Sequence, residues 1–218
     1  MNTKLVIFDL DGTLLDTIGD LAVACNAVLA LRGLPQHSYG EYCRFVGNGI
    51  MRLVERALPK ELRTPENVAL VRADFVRYYT EHIDRHTKPY AGIPELVEEL
   101  RRRRVRLAVA SNKYQSATRK LIAHYFPAIR FAAVYGQRDG VSPKPDPTVV
   151  FDILKDTGVA AADTLYVGDS AVDMQTALNA RVTACGVTWG FRPRTELEAL
   201  CPRYIVGKTE EIADIVLG

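Results

Sequence analysis

The densest potential for chemistry in this chain lies in one run of eight residues, Asp9-Leu10-Asp11-Gly12-Thr13-Leu14-Leu15-Asp16. Two carboxylates two positions apart at the end of a strand can aim at one point. Gly12 lets the backbone turn so that amide hydrogens face that point as well. An acidic turn that merely closes a strand uses the same residue types, so the run alone does not separate a turn from a site. Ser111-Asn112-Lys113 offers a hydroxyl and a cation suited to phosphate, although Ser and Asn are also favoured helix caps. Lys144 stands inside Ser142-Pro143-Lys144-Pro145-Asp146-Pro147, where prolines stiffen the loop that presents the ammonium. Most lysines are solvated surface charges, but one held in this way can neutralise a phosphoryl oxygen. Gly168-Asp169-Ser170-Ala171-Val172-Asp173 places two acids on one helix face. Acids at a helix start often serve only as caps, yet hard divalent cations such as magnesium need oxygen ligands of this kind.

These four groups need elements to position them. Leu5-Val6-Ile7-Phe8 is a continuous apolar run ending in acid, as expected for a strand of a parallel sheet covered on both faces. Similar runs recur at Val105 to Ala110, Phe131 to Tyr135, Thr164 to Val167 and Val182 to Val187. Helix-like segments alternate with them, at Pro94 to Arg103, Tyr114 to Tyr125, Pro147 to Thr157 and Ala171 to Ala180. That order predicts an α/β fold, a doubly wound Rossmann-like parallel sheet, and it sets each of the four groups at a strand end. From about Ile18 to His86 the rhythm breaks. Leu21, Ala24, Cys25, Val28 and Leu31 recur at helical spacing, as do Val68, Val71, Phe75, Val76 and Tyr79, and no convincing strand intervenes. The expected organisation is a core of residues 1–16 and 87–218, with an inserted all-helical cap at 17–86. Hinges are expected near Asp16 to Gly19 and His86 to Gly92. Such an insertion emerges at the carboxyl end of the strands, where it can act as a lid.

Composition narrows the class. A chain of 218 residues with 48% hydrophobic and 25% charged residues matches a soluble globular protein, and no apolar run is long enough for a membrane span. A net charge of +2 gives no ground for a nucleic-acid or membrane partner. The basic run Arg101 to Arg104, followed by Arg106, reads as the end of a helix whose negative dipole end suits cations. Cys25, Cys43, Cys185 and Cys201 form no CxxC pair, so free thiols are expected. With only four apolar residues before Asp9, no signal peptide is expected and the location is predicted to be cytoplasmic.

Taken in order, the four groups resemble the motifs of the haloacid dehalogenase superfamily, over essentially the whole chain. The insertion resembles the cap of its phosphoglycolate phosphatase-like branch, with Val46-Gly47-Asn48-Gly49 through Leu53-Val54-Glu55-Arg56-Ala57-Leu58 similar to that branch's cap signature. The resemblance implies a magnesium-dependent phosphatase acting on a small phosphomonoester, with Asp9 as nucleophile and Asp11 as acid and base. It implies phosphate contacts from Thr13, Ser111, Asn112 and Lys144. It also implies Mg2+ held by Asp9, Asp11 and Asp169, supported by Ser170 and Asp173. Gly47, Asn48, Gly49, Arg52 and Lys113 are the expected specificity residues, with 2-phosphoglycolate the expected substrate; Arg56 and Arg192 are further candidates for its carboxylate. A pyrophosphatase, a nucleotidase and a sugar-phosphate phosphatase or phosphomutase share this core. From another class, a receiver-like phosphate-signalling module also pairs acids, a hydroxyl and a lysine on an α/β sheet, but it needs no helical lid. The expected partner is a small-molecule phosphate ester, with no nucleic acid and no membrane, and the chain is expected to be a monomer or homodimer.

Overall fold

The computed structural model describes residues 3–218; Met1 and Asn2 lie outside the described residues. Leu5-Val6-Ile7-Phe8 is apolar at every position and forms β1 (Leu5–Phe8), wholly buried. Alternate side chains of a strand leave by opposite faces. Val6 and Phe8 accordingly join one apolar cluster and Leu5 and Ile7 another, so the sheet is covered on both sides.

After β1 come β2 (Leu15–Asp16) and four helices, α1 (Ile18–Leu31), α2 (Tyr39–Phe45), α3 (Gly49–Ala57) and α4 (Pro65–His82). The chain returns through β3 (Lys88–Pro89) to α5 (Ile93–Arg102), β4 (Arg106–Tyr114), α6 (Gln115–Tyr125), β5 (Ala133–Gln137) and α7 (Thr148–Thr157). It finishes with β6 (Thr164–Gly168), α8 (Ala171–Ala180), β7 (Thr183–Val187), α9 (Arg194–Glu198), β8 (Tyr204–Val206) and α10 (Thr209–Leu217). Six strands make one sheet in the order β5-β4-β1-β6-β7-β8, with every pair parallel. Buried residues of α5, α6 and α10 pack on the Val6/Phe8 face, and those of α7 and α8 on the Leu5/Ile7 face.

The alternating pattern and the helical stretch are therefore as the sequence predicts. Two differences stand out. Strand β4 runs on to Tyr114, past an irregularity in register after Ala110, so Ser111 to Lys113 are the buried end of a strand and not the cap of the next helix. The places where the chain leaves and returns to the sheet are paired as a short antiparallel ribbon, Leu15 with Pro89 and Asp16 with Lys88. A staple reinforces this ribbon. Asp20, buried in the first turn of α1, accepts from the amides of His86 (2.9 Å) and Thr87 (2.8 Å) and from Thr87 Oγ1 (2.7 Å).

The basic run closes α5 as expected, with Arg101 paired to Glu98 at 2.6 Å and Arg103 to Glu99 at 2.9 Å. All four cysteines are free thiols. Among the described residues no helix is long and apolar enough to cross a membrane.

Candidate active site

Because β1 lies between β4 and β6, three parallel strands deliver their carboxyl ends to one edge of the sheet. Open α/β sheets bind ligands at that edge. Asp9 follows β1 directly, its amide donating to Val167 O at 2.9 Å. The turn beyond folds tightly, with the amides of Thr13, Leu14 and Leu15 all donating to Leu10 O. Gly12 has φ +88°, and a Cβ there would stand 2.4 Å from Asp169 Oδ2, so this position excludes a side chain.

Lys144 sits beneath Asp9 at the centre of the buried charge. Its ammonium donates to Asp173 Oδ1 at 2.6 Å, Ala110 O at 2.9 Å and Tyr166 Oη at 3.0 Å, and it lies 3.0 Å from Asp9 Oδ1. Burial alone would weaken the hold on its proton, but Asp173 and Asp9 outweigh burial and keep it well above the usual lysine range. The Asp9 carboxyl is pushed up to about 7 by burial and by the like charge of Asp173, against the pull of Lys144. Asp169 is pushed well above the carboxylate range by burial, then by Asp173 and Asp9, although the Phe191 amide donates to its Oδ2 at 2.7 Å.

The carboxylate oxygens of Asp9, Asp169 and Asp173 lie within 4.8 Å of one another, all buried. Three acids face one ammonium, and Asp9 Oδ1 accepts no hydrogen bond despite its closeness to Lys144. A hard divalent cation takes oxygen donors of this kind and would relieve that excess of negative charge, so the donor set fits one. Asp173 is already engaged with Lys144, with Tyr166 Oη at 3.2 Å, and with Ser170 through its amide at 3.1 Å and Oγ at 2.5 Å. Of the three acids it is the one that braces the site from behind.

Asp11 accepts from Thr17 Oγ1 at 2.8 Å and from Lys113 Nζ at 3.0 and 3.2 Å. The Lys113 ammonium also lies over the Tyr79 ring, 4.7 Å from its centroid. Thr13 is fully buried with an unpartnered Oγ1, and Ser111 Oγ accepts from the Lys113 amide at 3.2 Å. The Asn112 side chain is committed to backbone, to Gly47 O at 3.0 Å and to both the carbonyl and the amide of Lys144.

A cavity of about 50 Å³ lies between the sheet edge and the helical insertion, lined by Asp9, Asp11, Ser111, Lys113 and Asp169 on the sheet side. Gly47 and Gly49 line the opposite wall together with Val46, Ile50, Leu53, Phe75 and Tyr79. Two sequence expectations are corrected here. Arg52 lies on the outer face of α3, its side chain 63% exposed and paired with Glu55 at 2.6 Å, so it does not reach the cleft. Asn48 turns inward to the insertion, accepting from Arg56 Nη2 at 2.8 Å.

Several site residues carry no sequence signal strong enough to single them out. Tyr166 is one apolar-looking position in a buried strand, yet its hydroxyl meets Lys144 and Asp173. The loop after β7 supplies Trp189, whose Nε1 donates to Thr13 O at 3.1 Å, and Phe191, which donates to Asp169. Between them Gly190 approaches so closely that a Cβ would meet Asp169 Cβ at 2.3 Å and Gly12 O at 2.4 Å. The position of this loop at another strand end was the available clue.

Residues 6–187, spanning β1 to β7 and all four groups, match the family model of haloacid dehalogenase-like hydrolases, and the chain belongs to that family. Over 197 residues it is 33% identical to a phosphoglycolate phosphatase of Mesorhizobium japonicum, covering 89% of this chain and 86% of the relative. A phosphoglycolate phosphatase of Thiobacillus denitrificans is 34% identical over 206 residues, covering 89% and 88%. Among solved structures, a protein of Lactobacillus delbrueckii subsp. bulgaricus provisionally named phosphoglycolate phosphatase superposes with a TM-score of 0.93 at 31% identity, over 100% of both chains.

Proposed function

We propose that this chain is a magnesium-dependent phosphatase that hydrolyses 2-phosphoglycolate through an aspartyl-phosphate on Asp9. The observation that carries the reading is the meeting of Asp9, Asp11, Lys144 and Asp169 at one buried strand edge. A carboxylate oxygen of Asp9 bonds to phosphorus as the phosphorus–oxygen bond to the leaving group breaks, and Asp11 gives that alkoxide its proton. Water then attacks the phosphorus of the aspartyl-phosphate, Asp11 takes the proton back, and inorganic phosphate leaves with Asp9 restored. Asp9, Asp169 and the Asp11 backbone carbonyl would hold Mg2+, and Asp173 and Ser170 would brace them. When bound, the ion offsets the repulsion between a carboxylate and a phosphate dianion, which at about 4 Å amounts to several kcal/mol in a partly buried site. Thr13, Ser111 and Lys144 would steady the phosphoryl oxygens.

The substrate follows from the other end of the cleft. The far wall of the cavity is largely apolar, with Val46, Ile50, Leu53 and Phe75, and suits a leaving group with few polar atoms better than a sugar or nucleoside. Lys113, buried on the sheet side beside Asp11, is a cation placed to receive a carboxylate of the leaving group. The curated relatives carry the same substrate in their names. The helical segment 17–86 would act as a cap domain over a core of 1–16 and 87–218, hinged at the β2–β3 ribbon.

Steady-state rates for 2-phosphoglycolate, pyrophosphate, a hexose phosphate and a nucleoside monophosphate test the proposal. We expect kcat/KM for 2-phosphoglycolate to exceed the others by about tenfold or more, the scale set by one well-made contact to a charged group. A higher value for any of the others would remove the substrate assignment and leave the Asp9 chemistry standing.

A further inference from the structure

Helix α2 ends at Phe45, and the carbonyls of its last turn need donors from outside the helix. Side chains supply donors to four consecutive carbonyls. Arg192 Nη2 donates to Arg44 O at 3.3 Å and Val46 O at 2.8 Å, Arg56 Nη1 to Phe45 O at 2.8 Å, and Asn112 Nδ2 to Gly47 O at 3.0 Å. Arg56 belongs to the helical insertion, but Arg192 and Asn112 belong to the sheet domain, so their bonds cross the cleft. Val46, Gly47, Asn112 and Arg192 all line the cavity itself. Asn112 has a second engagement, donating to Lys144 O at 3.1 Å and accepting from Lys144 N at 2.8 Å.

We infer that Arg192 and Asn112 form a latch that holds the helical insertion over the cleft by its backbone carbonyls, and that Asn112 couples this closure to the placement of Lys144. Both are positioning residues. Gripping carbonyls leaves the side chains of Val46 and Ile50 available to face the substrate. If the insertion swings away at this end, these three bonds break together, while Thr80 still meets Tyr114 Oη at 3.1 Å and Lys120 Nζ at 2.8 Å near the hinge, and the Lys144 loop loses a neighbour that fixes its Asn112 clamp. The kinetic consequence rests on the phosphatase reading; the structural one does not.

Amide hydrogen exchange of the unliganded protein, joined to kinetics on two esters, tests the latch. In Arg192→Ala the amides of residues 46–53 should exchange about tenfold faster than in the unaltered protein, while those of β1 and β6 stay unchanged. KM should rise several-fold for 2-phosphoglycolate and for ethyl phosphate alike, with kcat falling less, because only a fraction of molecules then presents the closed cleft. Arg192→Lys keeps the charge with fewer donors and should lie between. Unchanged exchange at 46–53 overturns the latch, as does faster exchange with KM unaltered. A KM rise confined to 2-phosphoglycolate would make Arg192 a substrate contact instead. A fall in kcat at constant KM would trace to Asp169 through Phe191, and either result overturns the inference. If the unaltered protein hydrolyses neither ester, the phosphatase reading fails while the exchange rates still decide the latch.

Discussion

Burial and the neighbouring acid Asp173 hold the Asp9 carboxyl at about 7 when no cation is bound, far above the 3.8 of a free aspartate. Between those two values the folded chain keeps a proton that the unfolded chain has released. Its stability from this group is complete at low pH and is lost as pH rises through about 7. Asp9→Asn keeps the shape and removes the charge. It should abolish turnover and, in chelator, gain stability over the unaltered protein by roughly 1–4 kcal/mol between about pH 5 and about pH 8. Unfolding curves at the two pH values measure this, and a gap that fails to widen would mean the site accepts the charge unaided. At this scale Asp9, Asp11, Lys144 and Asp169 were legible because a strand end and a proline-stiffened loop fix where a side chain must go. Arg52 faces solvent, and helical spacing alone does not say which way a helix is turned about its axis. Arg192 and Asn112 act on carbonyls, which leave no trace in residue types.

The junction between insertion and sheet depends on Asp20. Its carboxylate satisfies two backbone amides and one hydroxyl where the chain returns from α4. Asp20→Ala leaves those donors, of which the two of Thr87 are buried, without this partner and should lower unfolding stability by about 2–3 kcal/mol, read from the denaturant midpoint. A loss below about 0.5 kcal/mol, the level of an ordinary surface change, would mean the ribbon of β2 and β3 holds the junction without it. Asp20 was hidden in the sequence because an acid in the first turn of a helix is already explained by the helix dipole. The core strands and helices α1 and α4 of the insertion were readable from their periodicity, whereas the shorter α2 and α3 were not. Strand β8 and the ribbon were not, since two or three residues show no period at all. Helix α10 also escaped, its buried face reduced to Thr209, Ile212 and Val216.

For the whole molecule, magnesium is the expected ligand of the native state alone. Adding it should raise the unfolding free energy in a saturable way, by about 2.7 kcal/mol at roughly 100 times its dissociation constant, and a chelator should stop turnover. Asp169→Asn should flatten that titration; full stabilisation of this variant by magnesium would place the ion elsewhere. The doubly wound architecture was the most legible feature, because every long apolar run alternates with a helix. The sheet order has a further consequence for how the chain comes into being. Its first strand is an interior strand, flanked by strands that begin only at Arg106 and Thr164. A growing polypeptide therefore makes Asp9 well before Lys144 and Asp169, the groups that Asp9 meets in the folded chain. On the proposed mechanism, a nascent chain that ends before Asp169 should be inactive towards phosphate esters.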